Sequence, residues 1–246
     1  MRELGLALPP ARMPLFRRGR PLKRWRWIGV FGPELMLCVC AARVAGLPQR
    51  WWAVAEPDGR LHEGRGRRTP FELELGDDAG EAVEAASPHG RSYIWTRKQA
   101  NVPVRTTIRF GAHERVVEGA AFIDDSAGYH ARSTSWRWSA GVGRGDGGER
   151  VAWNLVSGMH DAEEASERTV WVDGHAHEVG PVEFAPDLSR VGGLSFEEWS
   201  AREAHTRRGP LRSDYRQPFG TFSGVLPNGL ELEAGYGVME WHDALW

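Results

Sequence analysis

Short runs of alternating apolar and polar side chains, each broken by a turn, recur along the chain. They include Trp51 to Val54, Phe71 to Leu75, Thr106 to Phe110, Val151 to Leu155, Val170 to Val172, Phe219 to Phe222 and Leu230 to Leu232. A period of two, with β-branched and aromatic residues enriched, predicts strands. Asp58-Gly59, Asp173-Gly174 and Asn228-Gly229 tolerate the positive φ of tight hairpins, so neighbouring strands are expected to run antiparallel. A helical spacing is found only over Ser195 to His205, where Phe196, Trp199 and Ala204 follow Ser195 as a cap, and Ser195 to Ser200 also reads as a strand. The pattern predicts an all-β chain.

The runs repeat in order. Trp25-Arg26-Trp27 returns as Trp136-Arg137-Trp138, an offset of 136 − 25 = 111. Trp52, followed by Asp58-Gly59-Arg60-Leu61-His62-Glu63, is echoed by Trp171, followed by Asp173-Gly174-His175-Ala176-His177-Glu178, with 173 − 58 = 115. Phe71-Glu72-Leu73 answers to Val182-Glu183-Phe184, and Val117-Glu118-Gly119-Ala120 to Leu232-Glu233-Ala234-Gly235. Landmarks at nearly constant spacing predict an internal duplication. The expected organisation is a basic arm over 1–24, a first half over 25–125, a polar linker over 126–135 and a second half over 136–246. Each half holds enough strands for a small up-and-down barrel or a strongly curved open sheet.

Composition narrows the class. A net charge of −2 over 246 residues, from charges of both signs, gives no field that favours nucleic acid. The basic start (Arg17, Arg18, Arg20, Lys23, Arg24 and Arg26) reads as a solvated arm or strand edge. Cys38 and Cys40 are too close for an ordinary bridge and too few for a structural zinc, so two buried thiols and a reducing, cytoplasmic setting are expected. No run reaches signal-peptide or membrane-spanning length. Twelve Trp exceed ordinary usage and suit a sheet face or cavity wall, because indole buries a large apolar body while its N–H seeks an acceptor.

A family resemblance rests on four stretches: Gly128-Tyr129-His130, Trp136-Arg137-Trp138-Ser139-Ala140-Gly141, Ser213-Asp214-Tyr215-Arg216-Gln217-Pro218-Phe219-Gly220-Thr221-Phe222-Ser223-Gly224, and Gly235-Tyr236-Gly237-Val238-Met239-Glu240. From the Trp25 region to the last residue, the chain resembles the bacterial and fungal domain of unknown function family 2804, whose name implies no activity. More remotely it is similar to the AttH-like and carotenoid hydratase proteins. That resemblance implies tandem lipocalin-like domains acting on hydrophobic isoprenoids, with an acidic side chain protonating an unactivated alkene before water adds. His130 and Trp136 match that group's His and Trp signature; Tyr129, rather than the Asp expected there, precedes His130.

The residues themselves supply acid–base candidates: His130, Asp161, Glu167, Glu240 and His242. His130 precedes the strand that carries Trp136 and Trp138 on one face, and imidazole exists in both forms near neutrality. Asn154, Asp161 and Glu167 lie in or beside apolar strands, where a carboxyl in a dry pocket becomes an acid; surface hairpin carboxylates are the commoner alternative. Glu240 and His242 share a face of any strand they occupy. Tyr129, Trp136, Trp138, Asn154, Tyr215, Gln217 and Tyr236 are the candidate ligand contacts. Pro218 holds Gln217 extended.

No metal or cofactor is expected. His175 and His177 read as exposed turn histidines, and Gly141-Val142-Gly143-Arg144-Gly145 as a hairpin turn rather than a phosphate loop. The leading expectation is a binding protein for a small apolar or amphipathic molecule. A lyase or isomerase working by proton transfer, and a structural or partner-binding β module, are the alternatives.

Overall fold

The computed structural model describes residues 5–246, with the backbone alone at 208. Among these residues there are eighteen strands and no helix. A hairpin of β1 (Phe16–Arg17) and β2 (Arg20–Pro21) leads into a first sheet of β3 (Lys23–Phe31), β4 (Met36–Val44), β5 (Leu47–Ala55), β6 (Leu61–Arg65), β7 (Phe71–Leu75), β8 (Val83–His89), β9 (Ser92–Phe110) and β10 (His113–Gly128). The second sheet takes β11 (Ser133–Gly145), β12 (Arg150–Ser157), β13 (Thr169–Val172), β14 (His175–Glu178), β15 (Arg190–Val191), β16 (Gly193–Arg208), β17 (Leu211–Val225) and β18 (Glu231–Leu245).

Both sheets are antiparallel and share one strand order. The first runs β6-β5-β4-β3-β10-β9, the second β14-β13-β12-β11-β18-β17. They differ at one edge. Two short strands, β7 and β8, divide the outer side of β9, whereas the single long β16 lines β17 and is extended by β15. Register shifts between Ala121 and Ile123, Glu198 and Ser200, and Phe222 and Gly224 bend the long strands, so the sheets curl without closing.

The expected helical turn at Ser195 to His205 is strand, within β16. Phe196 and Trp199 serve opposite faces, Phe196 meeting Phe222 and Trp199, at the register shift, meeting Tyr236. The glycine run from Gly141 to Gly145 is not the expected turn either; it lies inside β11. Gly141 is required there because a Cβ would collide with the indole of Trp153.

Three apolar layers follow from this arrangement. The inter-sheet core draws Trp27, Phe31, Met36, Cys38, Cys40 and Phe122 from the first sheet and Trp138, Trp171, Phe219 and Val238 from the second. The reverse faces bury Leu37, Val54 and Ile123 on one side and Trp153, Leu155 and Met239 on the other. Trp52 and Trp171, matched in the sequence repeat, are therefore not equivalent: Trp52 packs on the reverse face and Trp171 between the sheets. An odd offset along a strand turns a side chain to the other face.

The segment ahead of β3 is not a solvated arm. Leu8, Met13 and Leu22 are buried with Tyr93, Trp95, Ala127 and Tyr129. Residues 1–4 of the expected arm lie outside the described residues. Pairing continues through Gly128 and resumes at Ser133, leaving Tyr129 to Arg132 as the connection between sheets.

Candidate functional site between the sheets

The inter-sheet layer contains two buried carboxylates at matching places. On β10, Asp124 accepts the Trp25 indole N–H at 2.8 Å, the Ser126 hydroxyl at 2.9 Å and the Thr96 hydroxyl at 3.3 Å, and pairs with Lys98 Nζ at 2.7 Å. On β18, Glu240 accepts the Trp136 indole N–H at 2.8 Å, the Tyr215 hydroxyl at 2.8 Å and the Gln217 amide at 2.9 Å. Each Trp stands on the first strand of its sheet and each carboxylate on the last, and these strands pair side by side. The strand order places Thr96 opposite Tyr215 and Lys98 opposite Gln217 in the comparison of halves. Trp27 and Trp138, two residues beyond each donor, meet edge to face at 5.2 Å between the sheets.

Burial costs a carboxylate its hydration, so its partners decide its protonation. Among the described residues the donors at hydrogen-bond distance of Glu240 are neutral; burial raises its pKa, and the Tyr215 and Trp136 hydrogen bonds pull back only in part. The same burial, with the Glu240 charge beside it, holds the Tyr215 phenol well above its usual range. Lys98 is opposed in the reverse sense: burial pulls it down, but Asp124 and Glu167 leave it above its usual value and cationic.

Glu167 enters from the loop after β12, its carboxylate 3.6 Å from Lys98 Nζ. Burial pushes it up to about 7, with Lys98 opposing and Asp124 adding to the shift. Among the described residues its Oε2 has no hydrogen-bond partner. Asn154 fixes the segment, accepting the Trp138 indole N–H at 2.7 Å and donating to the Glu167 carbonyl at 2.7 Å.

The rim is aromatic and basic. His242 packs 4.2 Å from Trp136 and 5.4 Å from Tyr215, sharing a 2.8 Å hydrogen bond with Ser213. His130 is buried 5.5 Å from both Trp25 and His89, and burial, then Lys23 and His89, holds it well below its usual range. Trp25, Trp51, Trp136 and Tyr236 are only partly buried where they border the core.

Of the acid–base candidates, Glu167, Glu240, His130 and His242 thus lie in or around one seam. Asp161 does not: it is exposed and caps the loop by accepting the Gly158 N–H at 2.6 Å. Among the ligand candidates, Trp136, Trp138, Asn154, Tyr215 and Gln217 belong to the seam. Tyr129 instead packs under the N-terminal segment, its hydroxyl donating to the Pro14 carbonyl at 2.7 Å. Tyr236 sits further along β18, beside Trp199.

Sequence reasoning missed Lys98, Trp25, Thr96, Ser126 and Asp124, the last at the threshold of the expected linker. The Trp25/Trp136 match was the available signal, because it carries Glu240 onto the first half. Two shallow clefts lie away from the seam, one near Arg17, Arg91 and Tyr93 and one near Glu81 and His175. Among the described residues, no group of three His, Cys, Asp or Glu is placed to hold a metal ion. No helix among them is long and apolar enough to cross a membrane.

The model of the domain of unknown function DUF2804 matches residues 60–246. The chain belongs to this family. The match begins within the first sheet rather than at Trp25, and covers the whole of the second. No curated protein matches the chain in sequence. Among solved structures, a protein described as an AttH of Nitrosomonas europaea superposes with a TM-score of 0.53 at 12% identity, over 96% of this chain and 98% of the other. Kievitone hydratase from Nectria haematococca gives 0.52 at 11% identity, over 89% and 88%. At such identities the likeness is one of fold: this DUF2804 chain has the tandem lipocalin-like arrangement of curved sheets.

Proposed function

We propose that the chain is a proton-transfer enzyme of the lyase or isomerase type, acting on an apolar or amphipathic small molecule at the seam, with Glu240 as the acid. The observation that carries this reading is the Glu240 carboxyl, buried, raised in pKa and held by three uncharged donors beside a partly buried indole. A carboxylic acid so placed can give a proton to a substrate alkene or enol, and its anion is then stabilised by the Trp136, Tyr215 and Gln217 hydrogen bonds. Glu167, pushed up to about 7, is a second proton store across Lys98. The Trp surface suits an isoprenoid-like body, and the fold shared with kievitone hydratase supports water addition as the reaction class. A cytoplasmic setting suits the two free thiols.

Incubating the protein with a panel of isoprenoid alkenes in deuterium oxide tests the reading by mass spectrometry. Deuterium is expected in one substrate, with Glu240→Gln slowing its incorporation on the order of 10²-fold or more. No incorporation by the native protein, or an unchanged rate in the variant, overturns it. A structural module is the second reading, favoured by the closely packed side chains that fill the inter-sheet layer; in that case organic extracts of the purified protein contain no apolar ligand either.

A further inference from the structure

Only two of the chain's 31 basic Lys and Arg residues are lysines, Lys23 and Lys98. Both are buried, at 6% and 3% exposure. Lys98 is accounted for by Asp124 and Glu167. Lys23 differs: among the described residues its Nζ has no hydrogen-bond partner. It starts β3 where that strand passes the connection between the sheets, and its Nζ lies over the ring of Trp246. The charged and titratable groups that act on it come from several elements: Arg20 on β2, His89 on β8, His130 in the connection and His242 on β18. None is a carboxylate.

We propose that Lys23 is a reactive amine site that captures the carbonyl of an apolar aldehyde or ketone as a Schiff base. Burial, reinforced by Arg20, lowers the Lys23 ammonium to about 6, so the neutral, nucleophilic amine prevails at neutral pH. The amine lone pair attacks the carbonyl carbon, the C=O π electrons pass to oxygen, and the carbinolamine loses water to leave the imine. Both protons of that water come from the amine. His130, whose Nδ1 is unpartnered, and His242 are neutral imidazoles placed to relay them. Trp246 and Trp25, the latter 5.5 Å from His130, offer apolar surface to the carbonyl's substituent. The site is independent of the proton-transfer reading, since a covalent adduct is scored rather than turnover.

The test is reductive trapping on the whole native protein with cinnamaldehyde and cyanoborohydride, followed by peptide mapping. Lys23 is expected to be alkylated at least about tenfold faster than Lys98, with a rate that levels off near pH 7 rather than climbing toward the ~10.4 of an ordinary lysine. Lys23→Arg is expected to abolish this adduct; the Lys23-to-Lys98 ratio within the native protein needs no variant. An unmodified Lys23, a rate no faster than that of Lys98, or a profile still rising at pH 10 overturns the proposal.

Discussion

The two carboxylate nests were built on one plan and no longer do the same thing. In the first sheet Asp124 faces an ammonium, Lys98; in the second, Glu240 faces an amide, Gln217, at the matching place. Thr96 gives way to Tyr215 in the same manner. An ion pair completed by hydrogen bonds becomes a fixed part of the core. Neutral donors alone leave burial unopposed by a cation at contact distance, and the carboxyl drifts toward an acid that can exchange its proton. Reach differs as well: Gln217 also accepts a long contact from the Cys38 thiol, 3.6 Å away, so the second nest is tied to the first sheet through a weak donor.

The largest effect expected is from Lys98→Met, which strands Asp124 without its cation. Unfolding in urea should show a loss of about 3–5 kcal/mol, as for breaking one side of a buried ion pair; a loss below about 1 kcal/mol would break the comparison, because the first nest would then not depend on its charge.

Glu167→Gln isolates the carboxyl on the other side of Lys98. Its pKa is about 7 in the folded chain and ~4.3 unfolded, so the group's favourable contribution is fully present below ~4.3 and is lost as pH rises to about 7. The native protein should therefore lose on the order of 3 kcal/mol relative to the variant between those limits. His160 and His242, both lowered to about 3 by burial, contribute the opposite slope below their ordinary pKa, and it cancels in the difference. Parallel stability curves for the two proteins would place Glu167 outside the buried acid role.

Trp25→Phe and Trp136→Phe each remove one indole donor from a carboxylate. Loss of a hydrogen bond to a charged group costs about 2 kcal/mol, and to a neutral one about 1 kcal/mol. Thermal unfolding at a pH where Glu240 holds its proton should therefore penalise Trp25→Phe more than Trp136→Phe, and the gap should narrow as rising pH ionises Glu240. Equal losses at every pH would mean that the nests have not diverged.

Much of the architecture was legible from local pattern. The strand runs, the Asp-Gly and Asn-Gly hairpins and the Trp-Arg-Trp repeat all reappear as paired strands in equivalent sheets. Glu240, Trp136, Tyr215 and Gln217 stood out because each lies in one of the family-like stretches, which fall on β18, β11 and β17. Asp161 looked just as promising as Glu167, six residues away, yet one caps a surface turn and the other is buried. Nothing in their immediate neighbours separates them, since loop geometry places one at the surface and carries the other to Lys98. Lys23 reads as one of a basic run and Lys98 draws no attention in the sequence, because a charged side chain in an alternating strand usually faces water.

By itself the sequence determined the period of two, the turn positions and the copying of one β-unit, because these depend on backbone preferences and on neighbours close along the chain. Tertiary structure alone decided that each sheet has two buried faces, that Lys98 meets carboxylates from both halves, and that Glu240 is held by the uncharged donors Trp136, Tyr215 and Gln217. Those outcomes depend in part on pairs about 70 to more than 100 residues apart. Desolvation and charge act through space, and in a folded sheet that distance bears no relation to separation along the chain.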